Sequence, residues 1–120
     1  MEERRIKSSW YVGTPGENKS IVDEHPYPVR LVAVKAVQTN DGSATLQVAD
    51  GAGNEIIAAA ALGDSSDPAE LTPSSTALAA GYDQVAQDVA VVFTLDYDGD
   101  GGTAGQGICI NAFYLTGDSA

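Results

Sequence analysis

The chain has 120 residues and a formal net charge of −11 at pH 7; that length restricts it to one domain, since such a body buries about two-thirds of its unfolded surface around a single core. All six Lys and Arg residues lie in the first 35 positions, where five acids leave one net positive charge, whereas the other 85 residues hold twelve acids and no Lys or Arg. So anionic a body lacks the clustered cations that displace counterions from phosphates, which excludes a DNA or RNA module, and without an 18-residue apolar run no membrane-spanning helix is expected.

Residues 1–27 contain Gly13, Pro15, Gly16 and Pro26 with mixed charge and little periodicity, which predicts an extended arm. MEERRIKSSW has no apolar stretch of the secretion-signal kind, so the chain is expected to fold in the cytoplasm where it is made. Ile6, Trp10, Tyr11, Ile21 and Val22 are too many apolar groups for a solvated tail, so the arm is expected to lie against its own body or a partner. His25, between Glu24 and Pro26, has no second His, Cys or Ser at metal or triad spacing and reads as a surface histidine.

From residue 28 the pattern turns to strands. In VRLVAVKAVQ (29–38), strict alternation puts Val29, Leu31, Ala33, Lys35 and Val37 on one face and Arg30, Val32, Val34 and Ala36 on the other. TNDG (39–42) is a hairpin signal, SATLQVA (43–49) alternates around Ala44, Leu46 and Val48, and DGAGN (50–54) turns the chain into EIIAAAAL, where Ile56 and Ile57 favour a strand. Residues 63–87, rich in small polar groups and holding two prolines, read as a long connection with one short strand or turn near Thr76 to Ala79. The serines of SSTALAAG do not form the G-x-S-x-G nucleophile elbow.

DVAVVFTLDY (88–97) and GICINAFYL (107–115) are the clearest strands, with Val89, Val91, Phe93, Leu95 and Tyr97 on one face and Ile108, Ile110, Ala112 and Tyr114 on another. The one cysteine, Cys109, leaves no intrachain disulfide and reads as core filler. About six short strands at intervals of roughly 8–12 residues predict an all-β antiparallel sandwich over residues 28–120.

This layout, VRLVAVKAVQTNDGSATLQVADGAGNEI, a small-residue connection, then DVAVVFTLDYDGDGGTAGQGICINAFYL, resembles the small jelly-roll decoration (cement) proteins on the capsids of tailed viruses, over residues 28–116. The resemblance implies a jelly-roll-like sandwich preceded by an N-terminal arm and a late strand pair joined by a Gly- and Asp-rich hairpin. It also implies a non-enzymatic protein, commonly trimeric, made in the host cytoplasm and seated on the major capsid protein at the outer surface of the virion. A small alanine-rich core independently favours a homotrimer, because subunit contacts would supplement it. The arm holds most of the positive charge and the only tryptophan, so Arg4, Arg5, Lys7, Trp10 and Tyr11 are the expected capsid-binding residues, and removal of residues 1–27 is expected to weaken docking while leaving the sandwich folded. Asp outnumbers Glu eleven to six, a usage similar to that of halophilic proteomes.

The stretch TLDYDGDGGTAGQG (94–107) raises a second chemistry. Asp96, Asp98, Asp100 and Gly101 match the first half of a calcium loop, but the position of the closing bidentate Glu is Gly107. Asp and Gly are also what tight turns select, because they tolerate positive φ. The stretch is therefore expected to be a hairpin loop, with no dedicated cofactor and at most a weak, adventitious Ca2+ site at Asp96, Asp98 and Asp100. A calcium-dependent carbohydrate-binding or adhesion sandwich is the alternative function; against it, the aromatics of the body, Tyr82, Phe93, Tyr97, Phe113 and Tyr114, fall mostly at positions that a core would claim.

Overall fold

The computed structural model describes residues 4–64 and 66–116; the ends of both predicted segments, residues 1–3 and 117–120, lie outside this range. In chain order the elements are β1 (Arg4–Gly13), β2 (Lys19–Asp23), β3 (Val29–Val37), β4 (Thr45–Asp50), β5 (Glu55–Ala61), β6 (Ala69–Leu71), α1 (Ser75–Ala80), β7 (Gln84–Val85), β8 (Val91–Asp96) and β9 (Ile108–Thr116). They form an antiparallel β-sandwich. Sheet A has the order β1-β9-β3-β6, with β7 also pairing β3, and sheet B has the order β2-β8-β4-β5. The pairing is nested: β1 with β9, β2 with β8, β3 with β6 and β7, β4 with β5. The chain thus doubles back on itself from its ends towards the β4–β5 turn.

The core lies between the sheets and follows the two-residue period of the strands. Val91, Phe93 and Leu95 of β8 and Ile108, Ile110, Ala112 and Tyr114 of β9 are all buried, on the faces that alternation assigned. Leu46 and Val48 of β4 and Ile56 and Ile57 of β5 close the layer from sheet B.

The alternation assigned to β3 fails at one place. A β-bulge between Leu31 and Ala33 sets Val32 as an extra residue against β9, and the faces exchange parity there. Val29 and Leu31 are buried before it, Val34 and Ala36 after it, so Arg30 and Lys35, expected on opposite faces, share the outer one.

Three connections also differ from expectation. TNDG and the 97–107 loop each carry the chain from one sheet to the other, β3 to β4 and β8 to β9, and close no hairpin; turn residues specify a chain reversal but not whether the flanking strands pair. DGAGN does close one, with Asp50 accepting from the backbone of Ala52 and Asn54. Residues 63–87 hold more structure than a connection: β6 and β7 pair with two parts of β3, and α1 sits between them. Ser74 caps α1 by accepting from the Ala77 amide at 3.1 Å, and Gly81 closes it at φ 78°, so the Thr76–Ala79 turn is a helical one.

From residue 4 onward, the segment expected as an arm supplies an edge strand to each sheet. β1 pairs with β9 over nearly its whole length and β2 pairs with β8, while Ile6, Trp10, Val12 and Ile21 pack against the core. Removing residues 1–27 would therefore strip both sheets and uncover Phe93, which contradicts the expectation that the sandwich survives it.

Candidate functional site

The outer face of sheet A collects the positive charge. Register places Arg5, Leu115 and Arg30 side by side across β1, β9 and β3, and the next row puts Lys7 beside Phe113. In the row after that, Ser9, Asn111, Lys35 and Glu70 run across β1, β9, β3 and β6. The Lys35 ammonium stands 5.9 Å from the centre of the Phe113 ring, within cation–π range. An open groove of about 500 Å3 runs here between Arg5, Lys7, Val32, Lys35, Glu70 and Phe113. Arg30 is half-buried, and its Nε is enclosed without a hydrogen-bond acceptor among the described residues. Among the described residues, the one Lys or Arg ion pair is Lys19–Glu17 at 2.9 Å; Arg5, Lys7 and Lys35 are exposed.

Of the residues expected to bind a partner, Arg5, Lys7 and Tyr11 alternate onto this face, and Tyr11 is 76% exposed beside Cys109. Trp10 points the other way, its ring 5.0 Å from that of Phe93, and is half-buried core. Arg4 has the inward parity of Ile6 but lies exposed at the strand end. Arg30, Lys35, Phe113 and Leu115 were missed. The bulge hid the pairing of Arg30 with Lys35, and outward Phe113 and Leu115 are hydrophobic residues that alternation alone marks as facing away from the core. Cys109 shares this outer parity and is half-buried, so it is not the core filler expected.

The aspartate-rich loop is built on backbone contacts. Asp96 and Asp98 both accept from the Asp100 amide, at 3.3 and 3.1 Å, while Gly99, Asp100 and Gly101 take φ values of 61°, 69° and 97°. A Cβ on Gly99 would collide with the Ser43 carbonyl. The loop is stitched to residues 39–43: Asn40 donates to the Ala104 carbonyl at 2.8 Å and accepts from the Gln106 amide at 2.9 Å, and Ser43 donates its amide to the Thr103 carbonyl at 2.7 Å. Among the described residues no three His, Cys, Asp or Glu side chains converge as a metal centre would require.

A polar cluster ties the two sheets together at the end of β2. Asp23 Oδ2 accepts from the Tyr114 hydroxyl at 2.9 Å and lies 3.1 Å from His25 Nε2. The His25 ring meets Tyr114 edge-on at 4.7 Å between centres. His25 is 8% exposed, which corrects its reading as a surface residue; it is covered by Tyr114 and Tyr27, whose rings lie 4.7 and 5.9 Å from its own. Burial, then the negative charge and hydrogen bond of Asp23, push the Tyr114 phenol far above the usual tyrosine range.

No protein-family model matches the chain, and no curated protein matches it.

Proposed function

We propose that the protein is a non-enzymatic structural component of a virus particle, a decoration protein that sits on the major capsid protein at the outer surface of a tailed-virus head. The observation that carries this reading is the separation of charge: a cationic, partly aromatic sheet face on a body that is otherwise a polyanion. Such a body stays soluble and repels like neighbours in solution, and the cationic face gives it one orientation of approach to an acidic surface. The nested strand pairing supports the further reading that the sandwich is a jelly roll.

The same reading makes the protein a homotrimer on the shell. Sheet B presents Val22, Val92 and Ala49 side by side on its outside, with Ser20, Thr94 and Gln47 in the next row, and Val22 is 58% exposed. Glu55 borders this strip beside Ala49 and accepts from Gln47 at 2.8 Å, so the Val22–Val92 end is where anionic copies can touch with least repulsion. Light scattering is expected to give three copies per particle for the wild type and one for Val22→Glu.

Co-sedimentation with capsids stripped of surface proteins tests the function. The protein is expected to pellet with the shells and to be lost from them in the R5E/K7E variant. Failure to pellet, together with retention on a glycan column in calcium, would replace this reading with the carbohydrate-binding one.

A further inference from the structure

We infer that the aisle over Leu115 and Phe113 holds an extended acidic polypeptide segment of the shell protein, its carboxylates alternating between the β1 cations and the β3 cations. This rests on the decoration reading and adds the chemistry and the direction of the contact.

The geometry supports a chain running parallel to β9. β1 and β3 flank β9 on either side, so their outward side chains stand about 9–10 Å apart across it. That is close to the width of an extended chain with side chains directed left and right. Arg5 and Lys7 are two residues apart on one strand, hence separated by about 6.7 Å, the repeat at which alternate residues of an extended ligand recur. On the far side stand Arg30, level with Arg5 across Leu115, and Lys35, level with Ser9 across Asn111. The bulge at Val32 is what brings this second pair onto the same face.

Charge and surface chemistry select the occupant. Among the described residues, four cations against the single carboxylate of Glu70 match a segment with about four acids. The floor between the cation rows is apolar, formed by Phe113 and Leu115, and suits a polypeptide backbone and the methylene stems of glutamate. A nucleic acid or an anionic membrane would bring dense negative charge against the whole polyanionic body, whereas a short acidic segment meets only the cationic face. A second copy of this chain would have to bring its own −11 charge to the contact.

The test is a titration of the isotopically labelled full-length protein with a hexapeptide of four consecutive glutamates between blocked glycine ends, followed by amide NMR at low salt. Saturable shifts are expected on β1, β3 and β9, with none on sheet B. The glutamine counterpart should not bind, and R5E/K35E, with an otherwise unchanged spectrum, should bind about tenfold more weakly. Shifts scattered over the molecule, or equal affinity in R5E/K35E, would overturn the inference. So would tighter binding of oligothymidylate or of phosphatidylserine vesicles, or the same shifts arising from protein concentration alone, which would mark a second copy as the occupant. Capsid co-sedimentation separates the two levels: peptide binding without shell binding retires the decoration reading and keeps the ligand class. Shell binding that R5E/K35E leaves intact retires the aisle alone.

Discussion

At the residue scale, the Asp23–Tyr114 bond is the most consequential single polar contact, because it links β2 of one sheet to β9 of the other. Tyr114→Phe keeps the ring against His25 but leaves the Asp23 carboxylate without its hydroxyl donor; urea unfolding should show a loss of about 1–2 kcal/mol. The same phenol sets an alkaline limit. Its ionisation is raised in the folded state, so the native protein keeps a proton that the unfolded chain releases above about pH 10. This contribution is complete below that pH and is lost as pH rises beyond it. Stability measured from pH 8 to 11.5 should fall more steeply in wild type than in Tyr114→Phe, and parallel curves would refute the assignment. Gly99→Ala, at φ 61° beneath the Ser43 carbonyl, should cost about 2 kcal/mol through the left-handed backbone penalty and the collision together.

At the element scale, β1 and β2 decide whether the N-terminal segment is an appendage or part of the sandwich. Trp10 packs on Phe93, so Trp10→Ala should destabilise by about 3 kcal/mol, and a chain beginning at residue 28 should show no cooperative unfolding transition by circular dichroism. The strands at 88–97 and 107–115 were legible because every second residue is a large apolar group bounded by turn chemistry, and their buried faces were assigned correctly. β1 was not, since Arg5, Lys7 and Ser9 alternate with Ile6, Ser8 and Trp10, a pattern in which a single buried face is diluted by a serine and by flanking charge. The bulge in β3 is hard to read in a run where six of nine residues are valine or alanine, because either parity buries similar side chains. For that reason the Arg30–Lys35 half of the candidate face was invisible while Arg5, Lys7 and Tyr11 were found. Sheet membership of β4 and β9 was equally hidden: Asp-Gly turns read the same whether they close a hairpin or cross between layers.

At the scale of the whole molecule, the uneven charge gives salt two opposite effects. Screening relieves repulsion within the anionic body, so the melting temperature should rise between 20 and 300 mM NaCl, by roughly a few degrees. Docking through Arg5, Lys7, Arg30 and Lys35 should weaken over the same range, because these cations are mostly solvent-facing. Calcium and magnesium at matched ionic strength should stabilise equally, and Asp98→Asn with Asp100→Asn should leave that equality unchanged; a calcium-specific gain lost in the double variant would reinstate a cation site in the 96–100 loop. The central claim is that the outer face of sheet A is the face that meets the shell, and a cryo-electron microscopy reconstruction of the decorated particle tests it most directly. The account predicts three copies seated with β1, β9 and β3 against the major capsid protein, Phe113 and Leu115 covered by an acidic segment and sheet B turned to its neighbours. Density with sheet A facing solvent, or particles that carry no copy of the protein, would contradict it.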